Sequence, residues 1–147
     1  MFKIDHPNIL KLKLTLYDND YYYFLLEYAQ NGSLAGFMDK RRKEQLKFTL
    51  EQINYIGAQL ALMIYTLQEC RVIHRDMKPH NILLDDHFRC ILADFGDAIH
   101  LPAGKVSFRD EDFGSAHFSS YCGTPYYMSP EMITDWETCN GNDIWAR

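Results

Sequence analysis

The chain has 147 residues, 47% of them hydrophobic and 24% charged, which fits one globular domain and excludes a disordered chain. Twenty acidic against 15 basic residues leave a net charge of −5, which disfavours non-specific nucleic-acid binding because that needs a basic surface. No apolar run approaches the roughly 18 residues of a membrane-spanning helix, and "MFKIDHPNIL" has no signal-peptide core, so a cytoplasmic or nuclear protein is expected.

The first element in chain order is a β-hairpin. "LKLKLTLY" (Leu10–Tyr17) alternates with period two, Asp18-Asn19-Asp20 supplies turn residues, and the aromatic run "YYYFLLEYA" returns. Asn31-Gly32-Ser33 breaks the pattern. Ser33 is placed to cap a short helix reaching about Lys43, whose basic end "KRRK" reads as a solvated face. Thr49 and Gln52 have capping-box spacing, and Ile53, Ile56, Leu60, Met63, Ile64 and Leu67 then share one face, which predicts a core helix to about Cys70. "ILL" and "FRCILA" read as two small strands around the turn at Asp85-Asp86. From Gly96 to about Met128 periodicity is lost, and a loop of that length in a compact domain is usually functional or disordered. Cys70, Cys90, Cys122 and Cys139 form no CxxC pair and read as free thiols rather than zinc ligands.

One stretch is chemically dense. Between two short apolar segments, "VIHRDMKPHNILLDD" (Val72–Asp86) packs histidines, bases, an acid, a proline and an amide. Its centre, "HRDMKPHN", is followed by "DFG" at Asp94–Gly96 and "GTPYYMSPE" at Gly123–Glu131. These three ordered segments resemble the protein-kinase catalytic loop H-R-D-x-K-x-x-N, the D-F-G motif and the G-T-x-x-Y-x-A-P-E segment, with Ser129 in place of the alanine. "SYCGTPYYMSPEMI" is similar to the AGC group, and "YAQNGSL" looks most like its phosphoinositide-dependent branch.

The resemblance implies an α+β, protein-kinase-like fold in truncated form. Residues 1–29 would be the end of the N-lobe with the hinge, and 30–147 a partial C-lobe. It also implies ATP and Mg2+ as cofactors and protein serine or threonine hydroxyls as substrates. Asp76 would be the catalytic base and Lys78 would contact the γ-phosphate, while Asn81 and Asp94 would offer the hard oxygen ligands that suit magnesium. Leu26 would be the gatekeeper of an adenine pocket at which Glu27 and Ala29 present backbone groups. Arg75 would hold a phosphorylated activation-segment residue, with Ser120 the candidate acceptor and Ser119 the fallback. His74 and Asp143 are read as structural, Asp143 bracing the catalytic loop backbone.

The glycine-rich loop, the strand lysine and its glutamate partner have no counterpart within the 147 residues, and the remaining helices of the large lobe are likewise outside them. The expectation is that the isolated chain has little phosphotransfer activity and tends to aggregate, as a truncated paralogue or a partly read gene would. Two rivals stay open: a pseudokinase made by truncation that acts as a binding or scaffold protein, and a small-molecule phosphotransferase. The latter would share Asp76, Asn81 and Asp94 but is not expected to carry Lys78 or Gly123–Glu131.

Overall fold

The computed structural model describes residues 4–104, 107–109, 123–134, 137–139 and 141–146. Strands β1 (Leu12–Tyr17) and β2 (Tyr22–Leu26) form the expected hairpin, paired from Leu12↔Leu26 to Tyr17↔Tyr22 with a bulge between Leu12 and Leu14. Its turn is closed by one carboxylate. Asp18 accepts from the backbone N–H groups of Asp20 (2.9 Å) and Tyr21 (2.8 Å) and from the Tyr23 hydroxyl (2.8 Å), the local bonding for which aspartate is favoured in turns.

Helix α1 (Leu34–Lys43) starts where Ser33 accepts the Gly36 N–H. Helix α2 (Leu50–Glu69) opens on a complete capping box. The Gln52 N–H donates to the Thr49 hydroxyl at 3.2 Å, and the Thr49 N–H donates to the Gln52 side chain at 3.1 Å.

After α2 the chain makes four short strands: β3 (Val72–Ile73), β4 (Ile82–Leu84), β5 (Cys90–Leu92) and β6 (Ile99–His100). β4 pairs antiparallel with β5, and β3 with β6. The β4–β5 ribbon is widened on both sides. Residues 8–10 run along β5 through Leu92 N–H to Asn8 C=O (2.8 Å) and Leu10 N–H to Leu92 C=O (2.9 Å). Gly32 and Asn31 bond Leu84 on the β4 side. The Asn8 amide then donates to Cys90 C=O (2.7 Å) and to Gln59 of α2 (3.0 Å), tying ribbon to helix.

Against this ribbon lies the main core, where Met63, Ile64 and Leu67 of α2 meet Val72, Ile82, Leu84, Cys90 and Leu92. Cys90 is fully buried, and burial pushes its thiol up to about 11. The predicted stripe on α2 is therefore buried toward its C-terminal end. Ile56 and Leu60 pack at the margin of the core, while Ile53 is 54% exposed, because the ribbon reaches only the later turns of the helix.

The region read as irregular contains more order than its sequence announces. β6 falls inside it, as does β7 (Ser107–Arg109), which pairs with β8 (Glu137–Cys139). Strands of two or three residues are too short for a period to register. A 3₁₀ turn (Pro125–Tyr127) and the short helices α3 (Pro130–Thr134) and α4 (Gly141–Trp145) complete the described chain. Among the described residues no helix is long and apolar enough to cross a membrane.

Leu67, 1% exposed, and Ile53 test this division of α2. Leu67→Ala should cost about 2–5 kcal/mol by emptying a packed site. Ile53→Ala should stay within about 0.5 kcal/mol. Denaturant titration of both variants measures the difference, and equal losses would refute the assignment.

Candidate active site

The ribbon positions the chemically dense stretch. Asn81 directly precedes β4 and Ala93 directly follows β5, and the Ala93 N–H donates to Asn81 C=O at 2.8 Å, so Asp94 emerges beside Asn81. Between β3 and β4 the loop 74–81 is held from three directions. Asp143 of α4, 4% exposed, accepts the backbone N–H of His74 (2.8 Å, Oδ2) and of Arg75 (3.0 Å, Oδ1). Burial pushes the Asp143 carboxyl up from the ordinary range, and the two N–H donors together with the charges of His74 and Arg75 only partly offset this.

The His74 ring, fully buried, takes the second direction. Its Nδ1 accepts the Asp76 N–H (3.3 Å), which assigns the ring proton to Nε2, and Nε2 then donates to Ala93 C=O (3.0 Å). The ring also meets Phe95 edge-on, with centroids 4.9 Å apart. Third, the Arg75 guanidinium Nε donates to Asp97 C=O, so loop and post-β5 segment are joined on both sides of Asp76.

Arg75 (φ 69°) and Asp94 (φ 60°) both sit in the left-handed region, an uncommon conformation for such residues. Backbone strain of this kind persists where surroundings over-determine it, as the Asp143, Ala93 and Asp97 contacts do here.

These braces present the Asp76 carboxylate to a cluster of donors. Oδ2 accepts from Lys78 Nζ (2.6 Å) and Asn81 Nδ2 (2.9 Å), and Oδ1 accepts from the Thr124 hydroxyl (2.9 Å). Lys78 Nζ also donates to Thr124 Oγ1 (2.7 Å), and Asn81 Nδ2 to Asp76 C=O (2.9 Å). Burial alone would raise the Asp76 carboxyl; hydrogen bonds from Lys78, Thr124 and Asn81 and the Lys78 charge outweigh it and hold the group below the usual carboxylate range. Asn81 commits its nitrogen to Asp76, which leaves Oδ1 as its acceptor, and Asp94 is an exposed carboxylate. An amide oxygen and a carboxylate on neighbouring strand ends are the hard donors that fit magnesium.

Of the sequence-predicted residues, Asp76, Lys78 and Asn81 are in direct contact, and Asp94 is one residue from the Ala93 that both His74 and Asn81 bond. Leu26 ends β2 with 40% exposure, the Glu27 N–H is taken by Lys11 C=O (3.0 Å), and Ala29 is buried; the cluster around Asp76 does not touch them. Ser119 and Ser120 lie outside the described residues.

Thr124 is the functional side chain that sequence reading passed over. Its signal is the Gly-Thr pair. Gly123 adopts φ 95°, and a Cβ there would fall 2.6 Å from Arg75 C=O, so only glycine lets the segment approach the loop closely enough for Thr124 to reach Asp76.

The whole chain, residues 1–147, matches the protein kinase domain family, and the chain belongs to that family. Within it, the chain is similar to 3-phosphoinositide-dependent protein kinase 1 of Homo sapiens, 34% identical over 99% of this chain and 24% of that protein. It is similar also to 3-phosphoinositide-dependent protein kinase B of Dictyostelium discoideum (34% identical, 97% of this chain, 15% of that protein). A third relative is Serine/threonine-protein kinase ksg1 of Schizosaccharomyces pombe (37% identical, 96% of this chain, 24% of that protein). The chain thus spans between 15% and 24% of the length of these three relatives.

Asp143→Ala should strand the His74 and Arg75 N–H groups in the interior and cost about 1–3 kcal/mol for each, seen as an early melt by circular dichroism. The Asp76 carboxyl gives a pH test with a fixed sign. Because its folded value is lowered, its ionised form stabilises the fold above about pH 4, and that contribution is lost as pH falls through the folded value. Asp76→Asn should therefore flatten the fall of the melting temperature below about pH 4. Parallel curves for the two proteins would refute the assignment.

Proposed function

We propose that the protein containing this chain is an ATP-dependent protein serine/threonine kinase of intracellular signalling, with residues 1–29 closing the nucleotide site from the N-lobe and hinge and 30–147 supplying part of the C-lobe. The observation that carries the reading is the Asp76 carboxylate, held by Lys78, Thr124 and Asn81 on a loop braced from behind by Asp143. A carboxylate so aimed, with a cation at 2.6 Å, is suited to orient a hydroxyl and take its proton.

In this reading Asp76 accepts the substrate hydroxyl proton as the serine or threonine oxygen takes the phosphoryl group. Lys78 has three donors, of which Asp76 and Thr124 occupy two, and the third meets the γ-phosphate. Thr124 ties the substrate-side segment to the base. Asn81 and Asp94 hold magnesium, and Leu26, Glu27 and Ala29 border the adenine. When bound, Mg2+ and ATP supply the transferable group and neutralise the charge that spreads over it. Arg75 is the group that pairs with a phosphorylated Ser120.

The test is phosphorylation of serine and threonine peptides by the protein that contains this chain, with Mg·ATP. Asp76→Asn should lower kcat by about 10²–10⁴-fold with the fold retained. Asp94→Ala should abolish magnesium-dependent turnover, and Ser120→Ala should reduce activation. Transfer to choline or sugars in preference to peptides would sink the proposal. So would a folded protein with no transfer, which would point to a non-catalytic binding role.

A further inference from the structure

A second concavity lies away from Asp76, between α1, the start of α2 and the β4–β5 turn. It has a volume of about 510 Å³, within the 300–1,000 Å³ of clefts that hold ligands. Phe37, Phe48, Tyr55 and Phe88 form most of its wall, and Arg41 and Glu51 are its charged residues. The basic run read as a solvated face is therefore split. Lys40, Arg42 and Lys43 are exposed, while Arg41 is half-buried, its guanidinium 4.6 Å from the Phe48 ring centroid and 5.7 Å from that of Phe37.

Two features there are not explained by folding alone. Arg41 spends an Nη on Lys47 C=O, yet its Nε is shielded and has no hydrogen-bond partner among the described residues. A shielded guanidinium N–H costs free energy that an anionic acceptor would recover. Phe88, at the tip of the β4–β5 turn, holds φ 57°, which is unfavourable for a bulky side chain. Its ring is nonetheless 45% exposed and rests 5.3 Å from Phe37 at the rim of the groove. An asparagine or aspartate would make that turn without strain.

The charge around the rim is one-sided. Lys40, Arg41, Arg42 and Lys43 make the last turn of α1 and Lys47 follows, in a chain whose net charge is −5. Arg42 is paired with Asp39 (2.9 Å), and Glu44 and Glu51 are the other nearby acids, so the cations remain in excess.

We propose that this groove docks a short acidic segment of a partner protein. An aromatic or large aliphatic side chain of the segment enters between Phe37, Phe48 and Phe88, and its Asp or Glu residues meet Arg41 and the basic turn. A basic peptide would leave Arg41 Nε unbonded and face like charge, and a purely apolar one would not use the basic turn at all. Docking here is independent of phosphotransfer and is read by binding in the absence of nucleotide.

The probe is a phage-displayed library of random twelve-residue peptides panned against the immobilised 147-residue chain. Enriched sequences should carry a Phe, Trp or Leu flanked by at least two acids. A fluorescein-labelled winner should lose about tenfold or more in affinity on Arg41→Glu. The same loss is expected on Phe88→Asp, a change the left-handed backbone accepts, with the melting temperature held or raised. Tyr55→Glu, at a 47% exposed position, replaces Arg41→Glu if the latter melts early. Enrichment of basic sequences, no enrichment over bare support, displacement of the winner only by a second copy of the chain, or winners indifferent to the groove variants would each overturn the proposal.

Discussion

The arrangement around Asp76 depends on a carboxylate that does no chemistry of its own. Asp143 receives the consecutive N–H groups of His74 and Arg75, and through them fixes the backbone at the point where Arg75 turns left-handed. Two adjacent N–H groups can aim at one carboxylate only if the peptide between them is held at one orientation. That orientation in turn points the Asp76 N–H at His74 Nδ1 and its carboxylate at Lys78, Asn81 and Thr124. A single buried acid thus sets the direction of the acid that faces solvent, and its carboxyl is raised by burial because the site values geometry over hydration.

Three segments distant in sequence meet at this loop. The post-β5 strand end meets it through Ala93 and Asp97, α4 through Asp143, and the 123–124 pair through the close approach of Gly123 to Arg75 C=O. None of these contacts is apolar. The apolar work is done elsewhere, by α2 against the β4–β5 ribbon, and the ribbon delivers Asn81 and Asp94 side by side as a consequence of its register. Packing therefore sets where the strand ends lie, and directed hydrogen bonds decide which way the side chains between them face.

What the sequence disclosed follows the same division. The hairpin and both longer helices were legible because period-two alternation, the Ser33 cap and the Thr49–Gln52 box are local. Asp76, Lys78, Asn81 and Asp94 were legible because their spacing is a family pattern. Three things were not. Thr124 reaches Asp76 across 48 residues, a pairing with no local trace. The left-handed turns at Arg75 and Asp94 are imposed by tertiary bonds on residue types that do not favour them. The solvated reading of the basic run failed at Arg41 alone, because the aromatic rings that half-cover it come from the same helix and from the loop before α2.

The burial of Cys90 gives the chain an intrinsic reporter. Its thiol lies where α2 meets the ribbon, fully enclosed and pushed up to about 11, so almost none of it is the reactive thiolate at neutral pH. Cys70 and Cys139 are only half-buried and stand apart from it. An alkylating reagent should consume those two first and modify Cys90 only as fast as the ribbon lifts from the helix, so the slow phase of labelling times the opening of the core without an introduced probe.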